Sequence, residues 1–428
     1  MHDGGPLPPR GRATLPSEAE LSLRSHSFRS LLGSAVASAL GAAISSVAVN
    51  WLVYHYTGST LDIAYVGLAG VVPGIGLGLF AGVLADRYDR RRLMVTADLV
   101  RMTVMGALAL ALYLVGFSLL LVLGAVTLVY CFSAVFTPAS QAILPRIVST
   151  DRLEAANGVL SALTQTGYTL GSAAGGLVIV FVGAVAGLGL NAATYGISGV
   201  LLFQIAAHAG RIPSRSAGAA KSLRKELGEG LEYMRTHRAI LEVTLGFLPA
   251  NFLFTMVTSF FVVYAATVYG GDPVVYGYLV AALAAGAAAG ALAVPRLRAR
   301  RFAGLLMGAS VLAQGGAIGL LTVGRSLPLS VAGAAGIGVC IGLINTVYYS
   351  TMQAVVPNEV LARVLSIDSV GAFVAIPAGL VVGGLLAASH GILFTYTVAA
   401  LGIVANGLVL LALPGARSLR YEAGSSPG

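Results

Sequence analysis

Residues 82–93 read GVLADRYDRRRL, and six of these twelve positions carry charge in a chain that is only 10% charged overall. Asp86, Arg87, Asp89, Arg90, Arg91 and Arg92 follow twenty-three uncharged residues, Ile63–Ala85. A carboxylate at the end of such a run, Asp86, can accept hydrogen bonds from the exposed N–H groups that begin another helix, an arrangement the helix dipole favours. Two other acidic residues stand in apolar surroundings. Asp98 precedes Arg101 by three positions, the spacing of one helix face and of a local ion pair. Asp368 has no partner close in sequence, and a lone carboxyl at membrane depth either lines a cavity, pairs across helices or exchanges protons.

Other chemistry is missing. No Gly-x-x-x-x-Gly-Lys-Ser/Thr phosphate loop occurs, so the 55 glycines read as close helix packing, as in AALAAGAAAGALA at 281–293. The six histidines fall in tails, loops and helix ends, which supports neither a metal site nor a histidine relay. Cys131 and Cys340 lie inside apolar runs and read as packing residues, with no disulfide or zinc implied. No Ser/His/Asp or paired-carboxylate constellation is visible at membrane depth. The expectation is a protein that is not an enzyme and uses no cofactor or metal.

The elements that position these residues follow from composition. The 428 residues are 57% apolar with a mean hydropathy of +0.86, whereas soluble domains average about 25% charged residues. A membrane helix takes roughly 20 apolar residues, and charge-free runs mark twelve. Span 1 lies in 31–54, span 2 in 63–85, span 7 in 243–271, span 8 in 273–295, span 9 in 302–324 and span 10 in 326–358. Span 3 begins near Leu93 and tolerates Asp98 and Arg101 in its first turns. Breaks near 116–118, 183–189 and 389–391 separate spans 3 and 4, 5 and 6, and 11 and 12. The first 29 residues are polar and show no cleavable signal pattern.

Placing both termini on the cytoplasmic side puts 24 of the 26 Lys and Arg residues on that side, leaving Arg101 within span 3 and Arg325 in an outer loop. The net charge of +9 therefore records membrane topology and does not call for a nucleic acid. The expected organisation is a cytoplasmic arm (1–28), a six-helix bundle (29–208), a cytoplasmic linker (209–240), a second six-helix bundle (241–414) and a cytoplasmic tail (415–428). Within the linker, KSLRKELGEGLEYMR places Leu223, Leu227, Leu231 and Met234 on one stripe, the pattern of an amphipathic helix on the inner membrane surface.

The halves look duplicated. QAILP at 141–145 recurs as QAVVP at 353–357, and GVLADRYDRRR from Gly82 resembles GALAVPRLRAR from Gly290, at offsets of 212 and 208. The position matching Asp86 in the second half is Val294, so any contact made by Asp86 is one-sided.

These residues carry a resemblance. Gly82, Leu84, Ala85, Asp86, Arg87, Arg90 and Arg91 match the loop 2–3 signature of the major facilitator superfamily, with Asp89 where a second Gly is usual. GYTLGSAAGG at 167–176 looks like the span 5 antiporter signature of exporters; Gly167, Gly171, Gly175 and Gly176 match, and Ser172 replaces the expected Pro. TPASQAILPRIVSTDRLEAANGVLSA further resembles the drug:proton antiporter subgroup that includes the enterobactin exporter and macrolide efflux proteins. The resemblance covers about residues 25–415.

It implies an all-α integral membrane protein of twelve helices in two pseudo-repeated six-helix bundles, in the bacterial inner membrane, working as a monomer. Its implied partners are a small-molecule substrate, protons and lipid. Asp86 with Gly82, Arg87, Arg90 and Arg91 would form a conformational latch against the start of span 11, near Leu361–Val364. Spans 1, 4, 7 and 10 would line the path, offering Asn50, Tyr130, Asn251, Phe254, Thr255, Thr258, Asn345 and Tyr349, with Gln165 from span 5. Amides and aromatics around an uncharged cavity suit a bulky amphipathic ligand, although such residues also bond helix to helix. For coupling, Asp368 is the first candidate, with the Asp98–Arg101 pair behind it. Efflux is the expected function; an importer of a small metabolite is the alternative, and a polytopic membrane enzyme the more distant one.

Overall fold

A computed structural model describes residues 25–149, 152–205, 223–297, 302–324 and 326–420. Within them, the side chains of residues 75, 78–87, 154, 223–227, 229, 358–359, 362, 366, 369 and 372–373 lie outside the description. Every regular element among the described residues is helical.

The first half comprises α1 (His26–Thr57), α2 (Thr60–Arg87), α3 (Arg90–Val115), α4 (Leu119–Ile147), α5 (Leu153–Val182) and α6 (Ala184–Phe203). The amphipathic segment is α7 (Leu223–Thr236). The second half comprises α8 (Arg238–Thr258), α9 (Phe261–Tyr269), α10 (Pro273–Ala293), α11 (Ala303–Val323), α12 (Leu327–Val355), α13 (Asn358–His390) and α14 (Ile392–Ala412), followed by the short α15 (Pro414–Ser418). Ten of these helices are long and apolar enough to cross a bilayer, and α2 and α13 contribute the shorter apolar stretches Thr60–Gly74 and Val374–His390. Twelve spans result, with α8 and α9 together forming span 7.

The helix boundaries have local causes. Ser25 caps α1 by accepting from the Phe28 N–H at 3.2 Å, and Asp89 caps α3 by accepting from the Arg92 N–H at 2.9 Å. The residue standing where the loop signature has Gly therefore starts a helix. The breaks expected near 183 and 391 fall on Gly183 (φ 92°) and Gly391 (φ 84°), backbone that only glycine adopts cheaply.

One expectation is corrected. Span 7 is not one helix over 243–271: it starts at Arg238 and breaks at Ser259–Phe260. It starts early because Glu242 is held inside by Arg238 Nε at 2.7 Å and by the Ala416 N–H at 3.0 Å, so a charge-free run understates the helix. At the break, Tyr396 donates its hydroxyl to the Val257 carbonyl at 2.8 Å while Phe260 and Phe261 are both buried. Of the stripe expected on α7, Met234 is buried and Leu231 exposed, and the side chains of Leu223 and Leu227 lie outside the described residues. α7 meets α13 at Gly230, where an added Cβ would stand 2.9 Å from Ile367 and 3.0 Å from the Arg363 carbonyl.

Packing within each half depends on small residues. Gly286 and Gly290 of α10 would place a Cβ 2.2 Å from the carbonyls of Ala335 and Val339 on α12, and Gly338 and Gly342 of α12 return the contact to Leu283 and Ala287. In lipid, where hydrophobic burial drives little helix association, such backbone approach supplies the attraction. The halves meet at the end remote from the basic loops. There Thr60 Oγ1 donates to the Gly384 carbonyl at 2.9 Å, Trp51 Nε1 to the Gly271 carbonyl at 3.3 Å, and Gly176 lies against Pro273 and Val274.

Candidate functional site

Between the halves lies a cavity of about 740 Å³. On α1, Ser38, Ala42, Ser45, Ser46 and Asn50 recur at helical spacing and face it; on α4, Tyr130, Ser133, Thr137 and Gln141 do the same. Tyr168 of α5 and Tyr195 of α6 complete the wall on that side. The second half contributes Phe254 and Thr258 of α8, Phe261 of α9, Tyr276 of α10 and Ile376 and Leu380 of α13. The cavity reaches toward the basic end as far as Ala35, Gln141 and Leu160.

One charged side chain lines it among the described residues, Arg101. Its guanidinium pairs with Asp98, donates to Ser133 Oγ at 3.3 Å, and lies 4.4 Å from the centroid of Phe136 and 4.6 Å from that of Tyr195. Asp98 is fully buried behind it and also accepts from the Ser198 hydroxyl. The pair reads as a neutral unit whose cation faces the cavity and whose anion is sealed. Stacking between two rings further steadies the cation.

A second, smaller cavity of about 140 Å³ sits in the other half, lined by Asn251, Phe254, Gln314, Asn345, Tyr349 and Asp368, with Tyr348 at its side. Asp368 is the eleventh residue of α13, about three turns in, one turn deeper than charge-free runs suggest. The Tyr348 hydroxyl lies 3.3 Å from Thr244 Oγ1, and its side chain lines the same cavity as Asp368.

The path residues expected from the sequence therefore divide. Asn50, Tyr130, Phe254 and Thr258 line the larger cavity, whereas Asn251, Asn345 and Tyr349 line the smaller one with Asp368. Phe254 lines both. Two residues line neither: Gln165 is exposed on a different face of α5 from Leu160, Thr164 and Tyr168, and Thr255 is buried against Gly379 with its hydroxyl donated to the Asn251 carbonyl at 2.8 Å. A helix turns about 100° per residue, so neighbours of a lining residue point elsewhere. Tyr168, Tyr195 and Tyr276 were missed; a helical-face count on α5, α6 and α10 finds them only once these helices are paired with α1 and α4 around the cavity.

The loop 2–3 residues also divide. Gly82, Asp86 and Arg87 have side chains outside the described residues, so the latch between Asp86 and α13 is not described. Arg90 donates to the Ala142 carbonyl at 3.2 Å and Arg91 to the Phe203 carbonyl, with its guanidinium 4.8 Å from the Phe203 ring. Both therefore sit near the C-terminal ends of α4 and α6, where a helix dipole favours cations.

The antiporter-signature glycines face two ways. An added Cβ on Gly167, Gly171 or Gly175 would stand 3.1 Å from the Val36 carbonyl, 2.4 Å from the Leu40 carbonyl or 2.9 Å from Val47, all on α1. Gly176 instead meets Pro273 on α10 at 2.6 Å. Ser172, in place of the signature proline, is buried and returns its hydroxyl to the Tyr168 carbonyl at 2.8 Å.

A sequence profile of the family described as transmembrane secretion effector matches residues 19–423. The multidrug efflux pump Tap of Mycolicibacterium fortuitum is 27% identical over 383 residues, 87% of this chain and 92% of that one. Macrolide efflux protein A of Streptococcus pyogenes is 23% identical over 354 residues, 81% of this chain and 85% of that one. Among solved structures, a POT family transporter in complex with 5-aminolevulinic acid superposes with a TM-score of 0.72 at 10% identity, covering 92% of this chain and 97% of that one. A bacterial homolog of the human lysosomal transporter Spinster, inward-facing and unoccupied, superposes at 0.63 with 16% identity, covering 92% of this chain and 96% of that one. With twelve spans in two halves, a cavity between them and a family profile over nearly its whole length, the chain belongs to the transmembrane secretion effector family of the major facilitator superfamily of transporters.

Proposed function

We propose that this transporter exports a bulky amphipathic compound of drug or siderophore type in exchange for protons, alternating access between the two faces of a bacterial cytoplasmic membrane. The larger cavity carries the reading. Its volume of about 740 Å³ falls within the roughly 300–1,000 Å³ of small-molecule sites. Its wall of hydroxyls, amides and aromatic rings, with one cation already neutralised by Asp98, suits a ligand held by shape and a few hydrogen bonds. The names of the efflux relatives support the same direction of transport.

The distribution of basic residues orients the protein with both termini in the cytoplasm. In that orientation the contacts Thr60–Gly384, Trp51–Gly271 and Gly176–Pro273 close the outer face, and the cavity extends toward the cytoplasm. The working units are the bundles 29–208 and 241–414, joined by the linker 209–240 and acting as one monomer, with the arm 1–28 and tail 415–428 in the cytoplasm. Asp86 latches one state against the start of α13, and Asp368 is the coupling carboxyl.

The test is an accumulation and toxicity panel in cells lacking or overproducing the protein, using ethidium, erythromycin and tetracycline with and without a protonophore. Overproduction should lower accumulation of at least one compound, and the protonophore should abolish that effect. Equal accumulation across the panel, or higher accumulation on overproduction, would count against export.

A further inference from the structure

The smaller cavity lies wholly among second-half residues and is walled from the larger one by Phe254. Its polar lining is Asn251, Gln314, Asn345, Tyr348, Tyr349 and Asp368. Gln314 is 1% exposed, and its Nε2 has no hydrogen-bond partner among the described residues. A buried amide donor left without an acceptor is costly, so this side chain points to a ligand inside the cavity. A water needs two to four polar partners and takes about 30 Å³ of liquid, so a cavity of about 140 Å³ holds a few.

We propose that this cavity is the coupling-ion site, where Asp368 takes up one proton among waters held by Gln314, Asn251 and Asn345, in a compartment separate from the substrate cavity. This rests on the efflux reading above and adds where the ion sits and how it acts. Uptake moves a proton from hydronium onto a carboxylate oxygen and leaves neutral water; release is the reverse. The pocket thereby alternates between one negative charge and none. A single carboxylate among neutral amides and phenols balances one positive charge, not the two of a divalent ion, which gathers several carboxylates.

The groups facing Asp368 are few. From α12 come Tyr348 and Tyr349, which are titratable; from α8 come Asn251 and Phe254, and from α11 Gln314, which are not. On α13 itself Arg363 lies five positions back. The linker helix α7 meets α13 at Arg363 and Ile367 through Gly230, and α2 meets it at Leu380 and Gly384. The titratable group on α14 is Tyr396, whose hydroxyl is committed to the Val257 carbonyl. Among the described residues no second charged side chain lines the cavity.

Separate compartments mean that proton and substrate do not compete for one group. The wall between them is Phe254, which sits on α8 five residues before the break at Ser259. The substrate cavity keeps the charge-neutral Asp98–Arg101 pair whatever the state of Asp368.

Infrared difference spectra of the full-length protein in lipid, taken between mildly alkaline and mildly acidic buffer, test the site directly. A carboxylic-acid carbonyl band should appear on acidification, vanish in Asp368→Asn and shift in frequency in Gln314→Leu, or in Gln314→Met where Leu disturbs packing. This signal needs no exported compound, so it reports on the pocket even if every compound in the efflux panel fails. In proteoliposomes, Gln314→Leu should slow proton-driven ethidium transport about tenfold, the loss of one hydrogen bond to the ion's hydration. Ethidium affinity should stay unchanged and independent of pH in the wild type, and become pH-dependent in Phe254→Ala. A band that survives Asp368→Asn, ethidium and protons competing in the wild type, or transport driven by a sodium gradient instead would each overturn the proposal.

Discussion

At the scale of single residues, the Asp98–Arg101 pair tests how a charge is kept within the membrane. Asp98→Asn leaves Arg101 between Phe136 and Tyr195 without its anion. Breaking a buried pair from one side costs about 3–5 kcal/mol, whereas replacing both partners is often neutral. Asp98→Asn should therefore lower the melting temperature in detergent, and adding Arg101→Gln should recover most of the loss. A double variant as unstable as the single one would mean that the pair is not the unit of stability. The latch proposed for Asp86 calls for a different measurement. Asp86→Asn should cut efflux about tenfold, the worth of one charge-assisted hydrogen bond, while membrane abundance on immunoblots stays normal. Full efflux in that variant would remove the latch. Arg90→Lys should be milder, because a lysine can still donate to the Ala142 carbonyl that Arg90 reaches at 3.2 Å.

At the scale of elements, the glycine face of α5 separates stability from conformational change. Gly167, Gly171 and Gly175 pack against α1 within one half, so Gly171→Val, with the Leu40 carbonyl 2.4 Å from its Cβ, should reduce folded yield in size-exclusion chromatography. Gly176 touches Pro273 across the halves. Gly176→Ala should leave each half intact and weaken only the state in which these ends touch. A Thr60→Cys reporter, placed at the Gly384 contact, should then react several-fold faster with an impermeant maleimide added from outside, as expected when a bistable interface loses about 1 kcal/mol. Unchanged labelling would mean that the α5–α10 contact does not hold that face shut.

For the whole molecule, topology governs the rest. Reporter fusions after residue 428 and within 212–220 should read cytoplasmic, and one near Gly270 should read external. An external signal from the 212–220 fusion would invert the reading of every loop and of the cavity's opening.

Spans and breaks were legible because the bilayer imposes them one helix at a time. Twenty apolar residues and a glycine with positive φ are local properties, so the breaks at Gly183 and Gly391 could be placed without knowing any neighbour. The loop and antiporter signatures were legible for the same reason. What the chain alone could not supply was pairing. Glu242 reads as a boundary until the Ala416 N–H and Arg238 come to meet it. Arg90 and Arg91 read only as charges of one loop until α4 and α6 present their carbonyls. The candidate path residues read as one cavity, and only the rotation of each helix about its axis, set by packing glycines against neighbouring backbones, sends Asn50 and Tyr130 to one cavity and Asn251, Asn345 and Asp368 to another.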